Sequence, residues 1–209
     1  MDSNQTTWLG GDAVESAHPP PTSTSADACS PIVALMAELR TRLSTGRLMT
    51  RQALIRAADL AFGDTIGSGA YTTTDAYEIM QVAVNHLIAS DPGWAAPRDA
   101  AALGHHLHRL ERLEAMLPTQ SVRSPEQESF QQFSTPPAYA CLVAWVACLG
   151  AEDVVLEPSI GTGSLACFAV AAGVQTVVGN EWSPRRANLV RLLPGVGLVT
   201  EVNAEHLSA

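Results

Sequence analysis

From Pro31 onward the apolar residues recur at steps of three and four. Ile32, Leu35, Met36, Leu39 and Leu43 make a stripe along one side of a helix, which Pro31 is well placed to open. A second helix is expected over residues 48–62, closed by Gly63. Gly67 and Gly69 mark the stretch GDTIGSGAY as a loop. A third helix is predicted over residues 76–89, with Asp75 before it and Glu78 three residues on, as in a capping box. Asp91-Pro92-Gly93 reads as a turn. Leu103, Leu107, Leu110, Leu113 and Leu117 share one side of a fourth helix over residues 98–117, which Pro118 stops. Ser124-Pro125-Glu126-Gln127 then predicts a short helix to residue 132. Thr135 is placed to cap a further helix over residues 137–149, which is apolar nearly all round and therefore expected to be buried.

After Leu149 the rhythm changes. Residues 153–157 (DVVLE) read as a short buried strand, 158–163 as a glycine loop, and 164–172 as a helix closed by Gly173. Residues 176–179 give a second strand, 184–193 a helix capped by Ser183, and 197–202 a third strand. Strands alternating with short helices imply parallel βαβ units. The predicted fold class is α/β: a helical N-terminal region followed by a Rossmann-like core with strand order 3-2-1. Three segments follow. Residues 1–30 are rich in Ser, Thr, Pro and Gly and bury too little to offset their chain entropy, so a disordered tail is expected. Residues 31–118 form the helical region and residues 119–209 the core.

Composition narrows the function classes. The chain has 209 residues, with 12 basic and 21 acidic side chains and a net charge of −9. That balance argues against a sequence-independent nucleic-acid coat, which needs a basic face to displace counterions. No apolar run reaches the length of a membrane span, and the N-terminal stretch lacks the basic and apolar parts of a signal peptide. Cys29, Cys141, Cys148 and Cys167 form no C-x-x-C pair, so reduced thiols and a cytoplasmic protein are expected. His105, His106 and His108 lie on the fourth helix without a carboxylate triad, and read as surface or core-edge residues rather than metal ligands. Neither a metal nor a membrane is expected as a partner.

The candidate chemistry lies in VVLEPSIGTGS, residues 154–164. A hydrophobic strand runs into Glu157, then through Pro158 to a turn with Gly161 and Gly163, then into a helix. The glycines let backbone approach a ligand closely, at the strand end where open α/β sheets bind ligands. A carboxylate there repels a phosphate and suits a cationic amino-acid group. About twenty residues on, Glu181 ends the second strand, where a carboxylate accepts both hydroxyls of a ribose. Trp182 beside it has a face for a purine, and Asn203 at the third strand end stands where an adenine amino group is read. An ordinary βα turn and a solvated loop acid are the plainer alternatives for these positions. For Phe133 and Thr135 the plainer roles are a core aromatic and a helix cap.

Phe133-Ser134-Thr135-Pro136, followed by LEPSIGTGSLA and then NEWSP, resembles the amino-methyltransferases acting on DNA adenine. GSGAYTTTDAYEIMQVAV and the run LERLEAMLPTQSVRSPEQESFQQFSTPPAYA are similar to the N-terminal part of bacterial, phage and plasmid proteins of the strawberry notch type, in which a methyltransferase-like domain precedes a helicase-like ATPase. The likeness covers residues 67–207. It implies a class I methyltransferase core with S-adenosylmethionine as cofactor. Phe133, Thr135 and Pro136 would cover the methionine part, Glu157, Pro158, Gly161 and Gly163 would hold the amino-acid portion, and Glu181 the ribose. Asn203 replaces the acid that the family pattern has at the third strand.

Such enzymes carry an N-P-P-F or D-P-P-Y type motif that holds and stacks a flipped adenine, and the sequence contains none. The core is therefore expected to be incomplete, a cofactor half without a catalytic half, reaching DNA only through a full-length protein. The rival expectation is a non-catalytic pseudo-methyltransferase, a phage- or plasmid-encoded accessory protein working through its helical region; separately, a protein partner is expected to cover the open sheet edge.

Overall fold

The computed structural model describes residues 30–120 and 134–206. The expected tail, apart from Ser30, the helix expected at 124–132 and Phe133 lie outside the described residues. Four helices come first: α1 (Pro31–Ser44), α2 (Arg51–Phe62), α3 (Thr73–Ser90) and α4 (Ala100–Ala115). Then follow α5 (Pro137–Val146), β1 (Val154–Glu157), α6 (Ser164–Ala171), β2 (Thr176–Asn180), α7 (Pro184–Val190) and β3 (Val196–Thr200). The three strands form one parallel sheet in the order β1-β2-β3, the order expected from the sequence. Val155 pairs with Val177 and Leu156 with Val178, while β2 and β3 shift register between Val177 and Gly179.

Local chemistry sets the helix ends. Thr50 accepts a hydrogen bond from the Ala53 amide at the start of α2, and Gly63 closes the helix in the left-handed region at φ 69°. The start of α3 differs from expectation. Thr72 is the cap and Asp75 its third helical residue, and the two form a reciprocal capping box. Glu78 is thus not a cap partner. It lies one turn further on, inside the protein. Thr135 likewise makes no cap. Because α5 starts at Pro137, the cap position falls on Pro136, whose ring carries no acceptor for a capping bond. Ser183 does stand at the cap position of α7, yet its side chain makes no capping bond.

Helix α3 is the hub. Ile79, Met80, Val82, Ala83, Val84 and Ile88 are all buried on it, and it packs against α1, α2, α6 and α7. One apolar cluster joins Leu35, Leu54 and Ile79 of the helical region to Val177, Val190 and Val199 of the sheet and its helices. Each fully buried Leu, Ile or Val contributes roughly 1.5–3 kcal/mol. The helices α6 and α7 cover one face of the sheet.

Two expectations of burial fail. On the opposite sheet face Val154 (59% exposed), Leu156 (65%) and Leu198 (64%) meet solvent, although parallel sheets are ordinarily covered on both faces. On α5, Ala140 and Cys141 are buried while Tyr139, Val143 and Val146 are exposed. Periodicity shows that a segment is apolar, not that something covers it.

Candidate functional site

The loop between β1 and α6 is built by close packing. Ile160 accepts no gap beneath it: its amide donates to the Asn180 carbonyl, and Gly179 lies so close to its side chain that a Cβ there would sit 2.5 Å from Cδ1. Asn180, 2% exposed, ties three strand ends together. Its amide nitrogen donates to the carbonyls of Pro158 and Val202, and its Oδ1 accepts from the Thr200 hydroxyl and the Val202 amide. Asn180 lies one residue past the strand expected from the sequence and is the last residue of β2. A polar residue directly after TVVG, before an acid, is the available signal.

Gly161 and Gly163 both have positive φ, 57° and 87°, a conformation that L side chains adopt at a cost. Their surroundings differ. A Cβ on Gly161 would meet the Arg186 guanidinium at 2.6 Å. A Cβ on Gly163 would meet Leu193 Cδ1 at 2.2 Å and Val190 Cγ2 at 3.1 Å. Gly161 therefore lies against charge, and Gly163 against the apolar side of α7.

A small cavity of about 30 Å³, room for about one water molecule, lies over this loop. It is lined by Thr135, Glu157, Ser159, Gly161, Ser164 and Arg186 among others. The structure thus brings Thr135, Glu157 and Gly161 together. Pro136 lines a different, larger cavity. Pro158 contributes its carbonyl to Asn180. Trp182 is half exposed, and Asn203 accepts the Glu205 amide in the turn after β3. Glu181 is not among the residues that line the loop cavity. It is 7% exposed, its Oε1 accepts the Ser183 amide at 2.9 Å, and its Oε2 lies 3.9 Å from Arg186 Nη1.

Helix α3 supplies residues that the sequence reading did not foresee. Asn85 donates to the Thr162 carbonyl at 2.8 Å. Gln81 Oε1 accepts from the hydroxyls of Ser134 and Thr162. Glu78, 2% exposed, pairs with Arg185 and lies 3.8 Å from Arg186 Nε. Residues 78, 81 and 85 follow the i, i+3, i+7 spacing of one helix face. Three polar residues at that spacing, among the buried apolar residues of α3, are the signal that this face meets something polar.

Burial pushes the Glu157 carboxyl above its ordinary range, and the Ser159 amide partly offsets this by donating to it. The folded state therefore holds the proton more tightly than the unfolded chain. The resulting stability falls as pH rises from the ordinary carboxyl value of 4.5 through the raised one. Glu157→Gln removes that penalty. The variant is expected to melt higher than the parent near neutral pH, with the difference vanishing in acid below the ordinary value. Thermal melts at the two pH values check this, and a gap independent of pH would contradict it.

Elsewhere the side chains have structural uses. Both ring nitrogens of His106 lie 3.1 Å from backbone carbonyls, those of Ala102 and Ala95, and its ring meets Trp94 edge-on. His108 pairs with Glu111 on an exposed face. Among the described residues no group of three or more His, Cys, Asp or Glu is placed to hold a metal ion, and no helix is long and apolar enough to cross a membrane. Comparison of the chain with protein-family models, with characterised proteins and with solved structures finds no match.

Proposed function

We propose that this chain is the S-adenosylmethionine-binding portion of a DNA adenine-N6 methyltransferase-like protein, with a Rossmann-like core. The observation that supports this most is the meeting of Glu157, Thr135 and the positive-φ Gly161 around one cavity, at the carboxyl end of a parallel sheet. The donor set suits the amino-acid end of the cofactor. Glu157 would hold the ammonium group, and Arg186 and the Ser159, Ser164 and Thr135 hydroxyls offer donors for the carboxylate. The fit is partial. At about 30 Å³ the cavity takes in only that end, and Glu181 would have to leave the Ser183 amide and Arg186 to receive a ribose. When bound, the cofactor would supply an electrophilic methyl group on a sulfonium. No transfer step is assigned to these residues, because the sequence lacks the motif that holds a flipped adenine.

Calorimetry with S-adenosylmethionine tests the reading. One-to-one binding is expected, lost in Glu157→Ala and weakened about tenfold in Glu181→Ala, which corresponds to about 1.4 kcal/mol. Absence of heat from the parent chain sinks it.

A second reading, a non-catalytic interaction protein, is favoured by one observation, the apolar sheet face of Val154, Leu156 and Leu198 left open to solvent. Exposed apolar side chains on both outer strands of one sheet face suit another protein surface. That reading is the one left standing if the calorimetry is blank and sedimentation shows mass rising with concentration.

A further inference from the structure

The open sheet face is apolar in its middle and acidic at its ends. Val154, Leu156 and Leu198 are each more than half exposed. Leu156 stands in register with the partly exposed Val178, so the apolar row runs from β1 onto β2. Glu152 and Asp153 precede β1, Glu201 and Glu205 follow β3, and all four are exposed. Of these only Glu201 has a basic partner among the described residues, Arg191. Residues 134–206 hold no Lys, and their only Arg are Arg185, Arg186 and Arg191, in or directly after α7 on the covered side. Three strands set about 4.8 Å apart span about 10 Å, roughly the diameter of one helix. The face therefore suits a single helix that carries both apolar side chains and positive charge.

The chain itself carries such a helix. Residues 38–58 hold five Arg and one acid, Glu38, in a protein of net charge −9. Arg42 pairs with Glu38, and Arg40 reaches His86. Arg47, Arg51 and Arg56 are exposed, and their side chains make no hydrogen bond or ion pair among the described residues. Helix α2 buries Leu54, Ala57 and Ala58. Arg56 and Leu60 lie one turn apart on its other side. Leu60 is 82% exposed, and Leu48, just before the helix, is 64% exposed. The single acid of α2, Asp59, has its Oδ1 occupied by the Tyr71 hydroxyl and the Ile66 amide, so it does not cancel the arginines.

We propose that the open sheet face is covered by α2 of a second copy of this chain. Leu48 and Leu60 meet the apolar row, and the unpaired arginines meet the unpaired acids at the strand ends. The inference rests on the interaction reading of this face and names its partner. Two sheet faces laid on each other would oppose acid to acid, which disfavours that symmetric arrangement. The contact joins two different surfaces, so it extends head to tail unless a second such contact closes the pair. One helix on three strands makes a small interface, and the association is weak, with a Kd on the order of 10–100 μM.

Sedimentation of the parent chain across that range of concentration is expected to show mass rising with concentration. The association weakens about tenfold between about 0.1 M and about 1 M salt, as the Debye length falls from about 10 Å to about 3 Å. Two variants separate the surfaces. One carries Leu156→Thr with Leu198→Thr, the other Arg56→Gln with Leu60→Gln. These changes suit a strand and a helix respectively, so both variants keep thermal midpoints close to that of the parent. Each alone is expected to stay monomeric. Mixed, they form a one-to-one complex, because the first retains an intact α2 and the second an intact sheet face. Association indifferent to salt, an α2 variant that associates like the parent, or a mixture that stays monomeric overturns the proposal. Association lost in the sheet variant and kept in the α2 variant ends the proposal and leaves the interaction reading standing. A parent that is monomeric throughout ends both.

Discussion

Replacing Glu78 by Ala is expected to cost about 3–5 kcal/mol of folding stability, the range found when one partner of a buried ion pair is removed. Glu78 is 2% exposed and is the carboxylate shared by Arg185 and Arg186. Arg185 is partly exposed and retains Asp75 at 3.2 Å, so its share of the loss is small. Arg186 is 5% exposed, its Nε has no hydrogen-bond partner, and its other carboxylate, Glu181, is 3.9 Å away. Without Glu78 a guanidinium is left buried against one distant charge. For a chain of this length the loss corresponds to a fall of roughly 10 °C in Tm. Urea unfolding of the single and double variants checks the cause. The double change Glu78→Met with Arg186→Met is expected to be much less destabilised than the sum of the singles, because removing a whole buried pair avoids the unpaired charge. A single-variant cost under about 1 kcal/mol would show the pair to be no more than a surface interaction.

The same cluster explains what the sequence did and did not disclose. The helices around α3 were legible because Leu35, Leu39 and Leu43, or Leu103, Leu107 and Leu110, repeat with the helical period, and that signal is local. The strand–loop–helix passage from Val154 to Ala171 was legible for the same reason, since Gly161, Gly163 and Gly173 all stand where φ is positive. The partner of Glu78 was not legible, because it lies 107 residues along the chain and no short-range pattern encodes it. The start of α3 was misplaced because Thr72 and Asp75 are both good cap residues, and only the path of the backbone decides between them. Of the candidate site, Thr135, Glu157 and Gly161 converge on one cavity. Glu181 does not, because the nearest donors to its carboxylate are the Ser183 amide two residues away and Arg186 on the next helix. Spacing put Glu181 just past the end of β2, and there its Oε1 accepts the Ser183 amide.

The glycines of the loop allow two costs to be separated. Gly163→Ala is expected to destabilise by about 2–4 kcal/mol: roughly 1–2 for an L residue in the left-handed region and roughly 1–3 for forcing a methyl into a filled core. The methyl would sit 2.2 Å from Leu193 Cδ1, and Leu193 and Val190 are themselves buried and have little room to retreat. Gly173 is the control. It has nearly the same φ, 82° against 87°, but nothing lies within 4 Å of its would-be Cβ. Gly173→Ala should therefore show the backbone cost alone, about 1–2 kcal/mol. Denaturant midpoints of the two variants measure the difference directly. If Gly163→Ala costs no more than Gly173→Ala, then Leu193 yields freely and the close approach of α7 to the loop is not held by packing. If it costs more, a trimming change restores the loss: Leu193→Ala placed on Gly163→Ala relieves the clash, so the pair is expected to be less destabilised than the sum of its single changes. Sub-additivity of that kind follows from steric contact between the two positions and from nothing in the backbone of the loop alone, which makes it the sharper test of why glycine stands there.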